Sequence, residues 1–186
     1  MSTPSPNRLV SLDVFRGMTI AGMTLVNNPG TWSAIYWPLE HAEWNGWTPT
    51  DLVFPFFLFI VGVSITLSLG RRLEAEAPKG PLYTKAVKRA LIIFGLGFFL
   101  NLFPHFHFPD VRIPGVLQRI AVCYLITAFI FLSTKLRTQA IIAVLLLILY
   151  WLVMTTIAAP GYEAGDLTKE GSLASYVDRV VFGAHV

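Results

Sequence analysis

The side chains best suited to chemistry in this sequence stand beside long apolar runs. His41 lies in a polar connection, Asn27 ends the apolar run before it, and Asp51 begins the run after it. Gln118 and Arg119 form a second polar pair near the start of a later run. An imidazole exchanges protons near neutral pH, and polar groups within or beside apolar runs are costly enough to be functional candidates. These residues together predict a hydrogen-bonding site.

Each of these candidates also has a structural explanation. His41 shares its segment with several aromatic residues, so it fits an interfacial aromatic belt. These aromatic residues are Trp32, Tyr36, Trp37, Trp44 and Trp47. Asp51 follows a Thr-Pro-Thr sequence, which is typical of a carboxylate that caps a helix N-terminus and stabilises the helix dipole. Arg119 in an apolar run needs a carboxylate, carbonyl groups or a bound anion. Both kinds of explanation stay open at this point.

The remaining reactive residues give weaker signals. Asp13 and Arg16 are three residues apart and are expected to pair on one face of a helix. His105 and His107 lack a third ligand in the sequence, so we predict no metal site. Cys123, the single cysteine, excludes an internal disulfide and is expected to be a small core residue. Basic residues beside apolar runs usually reflect membrane topology, so the net charge of +3 predicts no nucleic-acid partner.

The elements that position these residues are long apolar runs. The chain has 186 residues, of which 54% are hydrophobic and 13% charged, whereas soluble domains have about 25% charged residues. A membrane-spanning helix needs roughly 20 mostly apolar residues. We therefore predict an all-α, polytopic transmembrane helical bundle in a lipid bilayer, with about five spans. These spans are expected at residues 14–28, 51–69, 87–103, 115–133 and 140–158.

The distribution of lysine and arginine predicts the orientation of the spans. Two connecting segments carry most of these residues, namely Arg71, Arg72, Lys79, Lys85, Lys88 and Arg89 in one, and Lys135 and Arg137 in the other. The connection 29–50 has none. Because cytoplasmic loops carry the excess, we predict a cytoplasmic N-terminus and an integral multi-pass protein, of the plasma or inner membrane if bacterial. The loop of His41 then faces the periplasm, the cell exterior or a lumen, and the other candidates of the site lie on that side.

Five short segments carry a family resemblance. They are SLDVFRG at 11–17, LVN at 25–27, HAEWNG at 41–46, DLVFP at 51–55 and RIPGVLQR at 112–119. In order and spacing they resemble the heparan-α-glucosaminide N-acetyltransferase family and its bacterial-type transmembrane acyltransferase relatives. The resemblance implies an enzyme that takes acetyl from cytoplasmic acetyl-CoA, its donor substrate, and delivers it to an amino-sugar or glycan amine across the membrane.

The resemblance also implies roles for the candidate residues. His41 corresponds to the active-site histidine, with Asn27 and Asp51 as polar positions beside it. Either His41 acts as a general base, or it is acetylated first and passes the group on. The expected substrate-binding residues are Trp44, Asn45, Arg112, Gln118 and Arg119. Arg16 is the expected contact to the phosphates of the donor.

The predicted topology and the resemblance together divide the chain into three parts. Residues 1–11 are a cytoplasmic tail, residues 12–158 are the N-terminal part of a transmembrane acyltransferase domain, and residues 159–186 are an outer segment. Family members continue into further spans, so we expect a longer parent protein, possible pairing of its copies as a homo-oligomer, and loss of activity in the isolated part. The alternatives are a transporter or channel lined by Asn27, Asp51 and Arg119, and a non-catalytic relative of the same fold.

Overall fold

A computed structural model describes residues 9–104, 106, 108, 111 and 113–185 of the chain. Six α-helices and three short 3-10 turns make up this part, which contains no strand, so the predicted all-α class is confirmed. The helices are α1 (Val10–Val26), α2 (Val53–Glu74), α3 (Lys79–Leu102), α4 (Val116–Ser133), α5 (Leu136–Thr156) and α6 (Leu173–Phe182). The 3-10 turns are Trp37–Leu39, Pro49–Leu52 and Gly183–His185.

Proline and glycine set several helix boundaries. Helix α3 begins directly after Pro78 and ends at Leu102, two residues before Pro104. Helix α4 begins after Gly115, which has an extended backbone conformation. Proline has no N–H to donate and restricts the residue before it, so it is tolerated at the first turn of a helix and disfavoured in the interior. These residues account for both ends of α3 and for the start of α4.

In the described part of the chain, three helical segments are long and apolar enough to cross a membrane. They are Pro49–Glu74, Val116–Ser133 and Leu136–Thr156. They correspond to three of the five predicted spans, which fits an integral membrane protein. Helix α1 has 17 residues, and α3 carries Lys and Arg side chains through its first half. The total of five spans and the cytoplasmic N-terminus stay predictions.

The chain divides into two compact units, of which the first is residues 1–67. In its described part, α1 and the start of α2 run antiparallel. A Cβ at Gly22 would lie 3.6 Å from Val53 Cγ2, in ordinary van der Waals contact. Arg16 Nη2 donates a hydrogen bond to Ser64 Oγ at 2.8 Å. The last residues of α1 and the first residues of α2 therefore lie at the same end of this helix pair.

The second unit, residues 68–186, is organised around a hairpin of α3 and α4. Small side chains are buried along both helices. They are Ala86, Ala90 and Gly97 in α3, and Ala121 and Ala128 in α4. Small residues let two helix backbones approach closely, which is the usual way that helices pack in a membrane. The hairpin therefore has a close, mainly apolar interface.

The other elements of this unit are more exposed. Helix α5 has no buried residue. Cys123 is exposed on α4, so its predicted place in the core is wrong. Exposed apolar positions are ordinary in a membrane helix because lipid is as apolar as a protein core. Beyond α6, the chain returns toward the segment before α4, where Ile113 N donates to the carbonyl oxygen of His185 at 3.0 Å.

Candidate active site

The loop that carries His41 is closed by its own threonines. Thr48 Oγ1 donates to the carbonyl oxygen of Glu40 at 2.6 Å, and Thr50 Oγ1 donates to that of Pro38 at 3.0 Å. Both threonines are buried. Hydrogen bonds from threonine side chains to nearby backbone carbonyl groups fix the conformation of a loop. They hold the segment around His41 against the turn that begins α2.

Asp51 accepts hydrogen bonds from several residues of this loop. Its Oδ1 accepts from His41 Nδ1 at 2.6 Å. Its Oδ2 accepts from the backbone N–H of Thr48 at 2.9 Å, from Thr48 Oγ1 at 3.1 Å and from the backbone N–H of Ala42 at 3.2 Å. The contact to the Thr48 N–H is the reciprocal half of a capping box. The predicted capping role of Asp51 is thus confirmed, and the same carboxylate also contacts the imidazole.

The contact between His41 and Asp51 decides which imidazole nitrogen is basic. An ionised carboxylate only accepts hydrogen bonds, so in the neutral imidazole Nδ1 carries the hydrogen and Nε2 keeps its lone pair. The His41 side chain is 64% exposed and that of Asp51 is 29% exposed. A basic nitrogen oriented by a partly covered carboxylate, with its other side open, is the arrangement of a general base or a nucleophile.

Three predicted catalytic or substrate-binding residues besides His41 and Asp51 belong to the same unit. Asn27 directly follows α1 and is exposed, at the end of the helix pair where α2 begins. Trp44 and Asn45 are exposed in the loop between His41 and Thr48. All three are open to solvent, as contacts to a substrate require. Their roles stay predictions.

The predicted residues of α4 belong to the second unit. Gln118 is buried, with 3% of its surface exposed. Arg119, the next residue, is exposed. Arg112 lies outside the described residues, as do His105 and His107. Among the residues that the structure describes, no group of three His, Cys, Asp or Glu side chains could hold a metal ion.

The predicted pair of Asp13 and Arg16 is present. Arg16 Nη1 lies 3.4 Å from Asp13 Oδ1. The same guanidinium reaches Ser64 on α2, a contact that the sequence does not reveal. Arg16 therefore joins the two helices of its unit, and its predicted contact to a donor phosphate stays a prediction.

The chain matches a known family over most of its length. The family described as "Heparan-alpha-glucosaminide N-acetyltransferase, catalytic" matches residues 8–168. The chain belongs to this family. The heparan-alpha-glucosaminide N-acetyltransferase of Mus musculus is 34% identical over 217 residues, which cover 96% of the chain and 32% of that protein. The one of Homo sapiens is 41% identical over 128 residues, which cover 66% of the chain and 19% of that protein.

These figures confirm the family resemblance and set its extent. The chain spans 32% of the mouse acetyltransferase that it matches and 19% of the human one. The matched region, 8–168, contains His41, Asp51 and Gln118. The candidate site is therefore inside the part of the chain that identifies the family.

Two residues that the sequence did not single out also contribute to the geometry. Thr48 precedes Asp51 by three residues, which is the spacing of a capping box, so this signal was available. Asn101 is a polar residue at the end of an apolar run, and its amide nitrogen approaches Gly115 at the start of α4. The packing of α3 against α4, which the sequence does not reveal, brings Asn101 to this position.

Proposed function

We propose that this chain carries the histidine site of a membrane-embedded acetyltransferase. In this proposal the enzyme takes acetyl from cytoplasmic acetyl-CoA and transfers it to the amine of an amino sugar on the opposite side of the membrane. The observation that carries the proposal is the contact of 2.6 Å between His41 Nδ1 and Asp51 Oδ1. It leaves His41 Nε2 as the basic atom, in a family whose relatives are named as N-acetyltransferases.

The transfer begins at the amine. An ammonium group has no lone pair to attack a thioester, so a base must remove one proton. His41 Nε2 accepts this proton, and the Asp51 carboxylate stabilises the imidazolium that forms. The amine nitrogen then bonds to the acetyl carbon, and the bond between this carbon and the sulfur of coenzyme A breaks. The thiolate leaves and takes the second proton that the nitrogen loses on becoming an amide.

A two-step route uses the same atoms in another order. Here His41 Nε2 attacks the acetyl carbon first and coenzyme A leaves as a thiolate. The acetyl-imidazole then passes its acetyl group to the free amine, and the released Nε2 takes the proton that the nitrogen loses. Both routes place a negative charge on the carbonyl oxygen, which needs hydrogen-bond donors. The Asn27 amide is our candidate for this donor because Asn27 and Asp51 lie at the same end of the α1–α2 pair. Trp44, Asn45, Arg112, Gln118 and Arg119 are candidates for contacts to the acceptor.

The proposed orientation of the protein in the membrane places the loop of His41 toward the periplasm, the exterior or a lumen. Residues 1–11 face the cytoplasm, and Arg16 lies near the donor phosphates. Residues 12–158 form the N-terminal part of the acyltransferase domain, and 159–186 lie on the outer side. The absence of Lys and Arg in connection 29–50 supports this orientation. Acetyl-CoA supplied only to the cytoplasmic face of sealed vesicles, with glucosamine only outside, tests it by acetylation across the bilayer.

The experiment that tests the site compares variants of the full-length protein in nanodiscs. Wild type, His41→Ala and His185→Ala receive acetyl-CoA and glucosamine, and N-acetylglucosamine is measured. His185 is the matched control because its Nδ1 contacts the carbonyl oxygen of Val111 in the other unit, at 2.9 Å. We expect the rate of His41→Ala to fall by about 10²- to 10⁴-fold or more, because a positioned general base usually contributes this much. His185→Ala should keep the wild-type rate. Equal rates in wild type and His41→Ala would contradict the assignment.

The two routes differ in a covalent product. Incubation with labelled acetyl-CoA and no acceptor leaves label on His41 only in the two-step route. A label that appears on wild type, is absent from His41→Ala and is released by glucosamine supports the two-step route. Direct transfer is supported if no label remains on the protein and the initial rates show that both substrates must be bound together.

A further inference from the structure

The hairpin of α3 and α4 contains a buried amide that has no hydrogen-bond partner. Gln118 is 3% exposed, and within the described residues neither its side-chain nitrogen nor its oxygen has a partner. A buried donor or acceptor without a partner destabilises a fold, and such groups in native proteins call for a specific explanation. The amide of Gln118 is therefore a candidate for a ligand contact.

Glycine on both sides makes room for this amide. A Cβ at Gly97 of α3 would lie 2.8 Å from Gln118 Oε1, and a Cβ at Gly115 would collide with the same oxygen. A side chain at Gly115 would displace the Gln118 amide, and one at Gly97 would displace both Gln118 and Leu117, whose Cβ would lie 2.7 Å away. The close packing of the hairpin leaves a place for an amide that nothing in the described part of the chain satisfies.

A second amide reaches the same place from α3. Asn101 Nδ2 would lie 2.8 Å from a Cβ at Gly115. Gly115 is the N-cap of α4, and no side chain caps it by a hydrogen bond. The first N–H groups of a helix have no partner within the helix, so they are donors for a ligand. Two amides from neighbouring helices and a helix N-terminus thus meet at one point.

The chemistry of an unpartnered amide limits the ligand. Gln118 offers a donor, Nε2, and an acceptor, Oε1. An anion only accepts and leaves Oε1 without a partner, whereas an ammonium group only donates and leaves Nε2 without one. A hydroxyl group donates and accepts, so it satisfies both atoms.

We propose that Asn101 and Gln118 bind a hydroxyl group of the acceptor amino sugar at the N-terminus of α4. This inference rests on the proposed function and adds Asn101, a residue of the second unit, to the candidates for contacts to the acceptor. A secondary amide in the pantetheine arm of acetyl-CoA also donates and accepts. Separate measurements with the two substrates distinguish these sources.

The test uses Gln118→Leu in the full-length protein in nanodiscs. Leucine is similar in size to glutamine and has no hydrogen-bonding atoms. We expect the KM for glucosamine to rise about tenfold, the effect of one lost hydrogen bond to a substrate, while the KM for acetyl-CoA stays unchanged. The melting temperature should equal or exceed that of wild type, because the substitution removes a buried polar group without a partner. Asn101→Ala should also raise the KM for glucosamine.

Gln139 provides the matched control. Its Nε2 donates to the carbonyl oxygen of Thr134 at 3.0 Å, so its amide has a structural role. Gln139→Leu should lower the melting temperature and leave both KM values unchanged. Deoxyglucosamines add a chemical control, because removal of the bound hydroxyl should raise the KM of wild type about tenfold and cause no further rise in Gln118→Leu.

Two results would overturn the inference. A lower melting temperature in Gln118→Leu with an unchanged KM for glucosamine shows that the amide is structural. A rise in the KM for acetyl-CoA alone shows that the amide binds the donor. If wild type acetylates nothing, the proposed function fails, and binding is then tested by the melting temperature with added glucosamine. A ligand-induced rise that is present in wild type and lost in Gln118→Leu supports the site, and an equal rise in both overturns it.

Discussion

Asp51 and Gln118 both stand near the start of a helix, yet their side chains have opposite surroundings. The carboxylate of Asp51 accepts hydrogen bonds from His41, Ala42 and Thr48, and it is partly exposed. The amide of Gln118 is almost fully buried, and within the described residues it has no partner. Asp51 is held by a loop that folds around it. Gln118 is confined by the close packing of α3 and α4.

This difference separates two ways of preparing a polar group for chemistry. Hydrogen bonds from the loop fix the orientation of Asp51 and, through it, the basic nitrogen of His41. Such a group is in place before any substrate arrives. The buried amide of Gln118 has no partner within the described residues, which lowers stability unless a ligand or another group pairs with it. Substitution of Asp51 should therefore change mainly activity, whereas substitutions beside Gln118 should change mainly stability.

The largest effect is expected from Asp51→Asn. The carboxamide can present an N–H to His41 Nδ1, which favours the tautomer with its hydrogen on Nε2 and removes the base. We expect a loss of about 10²-fold or more in kcat, as in other sites where a carboxylate sets the tautomer of a catalytic histidine. Acetylation of glucosamine by the full-length protein measures it. Glu43→Gln, an exposed carboxylate in the same loop, should keep the wild-type kcat, and an active Asp51→Asn would show that the carboxylate does not orient His41.

A medium effect is expected from Gly115→Ala, which tests the hairpin. The new methyl group collides with Gln118 Oε1 and approaches Asn101 Nδ2. Overpacking of this kind costs about 1–3 kcal/mol in the free energy of unfolding. Unfolding by SDS in mixed micelles measures the change. Adding Gln118→Ala should restore part of the loss, because it removes the oxygen that the methyl group meets.

The control for this substitution lies in α3. Nothing lies within 4 Å of a Cβ at Gly95, so Gly95→Ala should stabilise the helix by up to about 1 kcal/mol, as glycine-to-alanine changes in helix interiors do. If Gly115→Ala were equally harmless, the amide of Gln118 would not be confined by its neighbours. The contrast with Asp51 would then lose its structural basis.

The smallest effect is expected from Thr48→Val, which tests the loop. Valine keeps the shape of threonine and loses the hydroxyl that donates to the Glu40 carbonyl oxygen and to Asp51. We expect a loss of about 1 kcal/mol in the free energy of unfolding, with a fall in kcat of a few-fold because Asp51 keeps its other partners. Thr66→Val is the control, since its hydroxyl donates to Gly62 O one turn back in α2. A loop that tolerates Thr48→Val without any change would be held by other contacts.

Local patterns in the sequence predicted local structure well. The capping role of Asp51 and the pairing of Asp13 with Arg16 both depend on residues three positions apart, and both are present. The family followed from short segments whose order and spacing are specific, and the comparison confirms it. The catalytic role of His41 stays a prediction, although its contact to Asp51 gives that prediction a geometry.

Features that depend on helix packing were harder to predict. Cys123 was expected in the core, yet it is exposed, because a membrane helix is apolar on every face and composition does not reveal which face is covered. Asn101 was missed because its relevance arises from the approach of α3 to α4. The absence of a partner for Gln118 among the described residues likewise depends on how neighbouring helices pack, which no pattern along the sequence contains.

The hydrogen bonds that close the His41 loop have a consequence for biogenesis. The donors and acceptors described for this loop all lie within residues 38–51. Contacts between residues so near in the chain form quickly and need little ordering of the polypeptide. Because chains are made from the N-terminus onward, this loop can form its hydrogen bonds soon after α2 emerges from the ribosome, before α4 has been synthesised. The base of the proposed reaction would thus be assembled during translation, and the acceptor contacts would follow with the later helices.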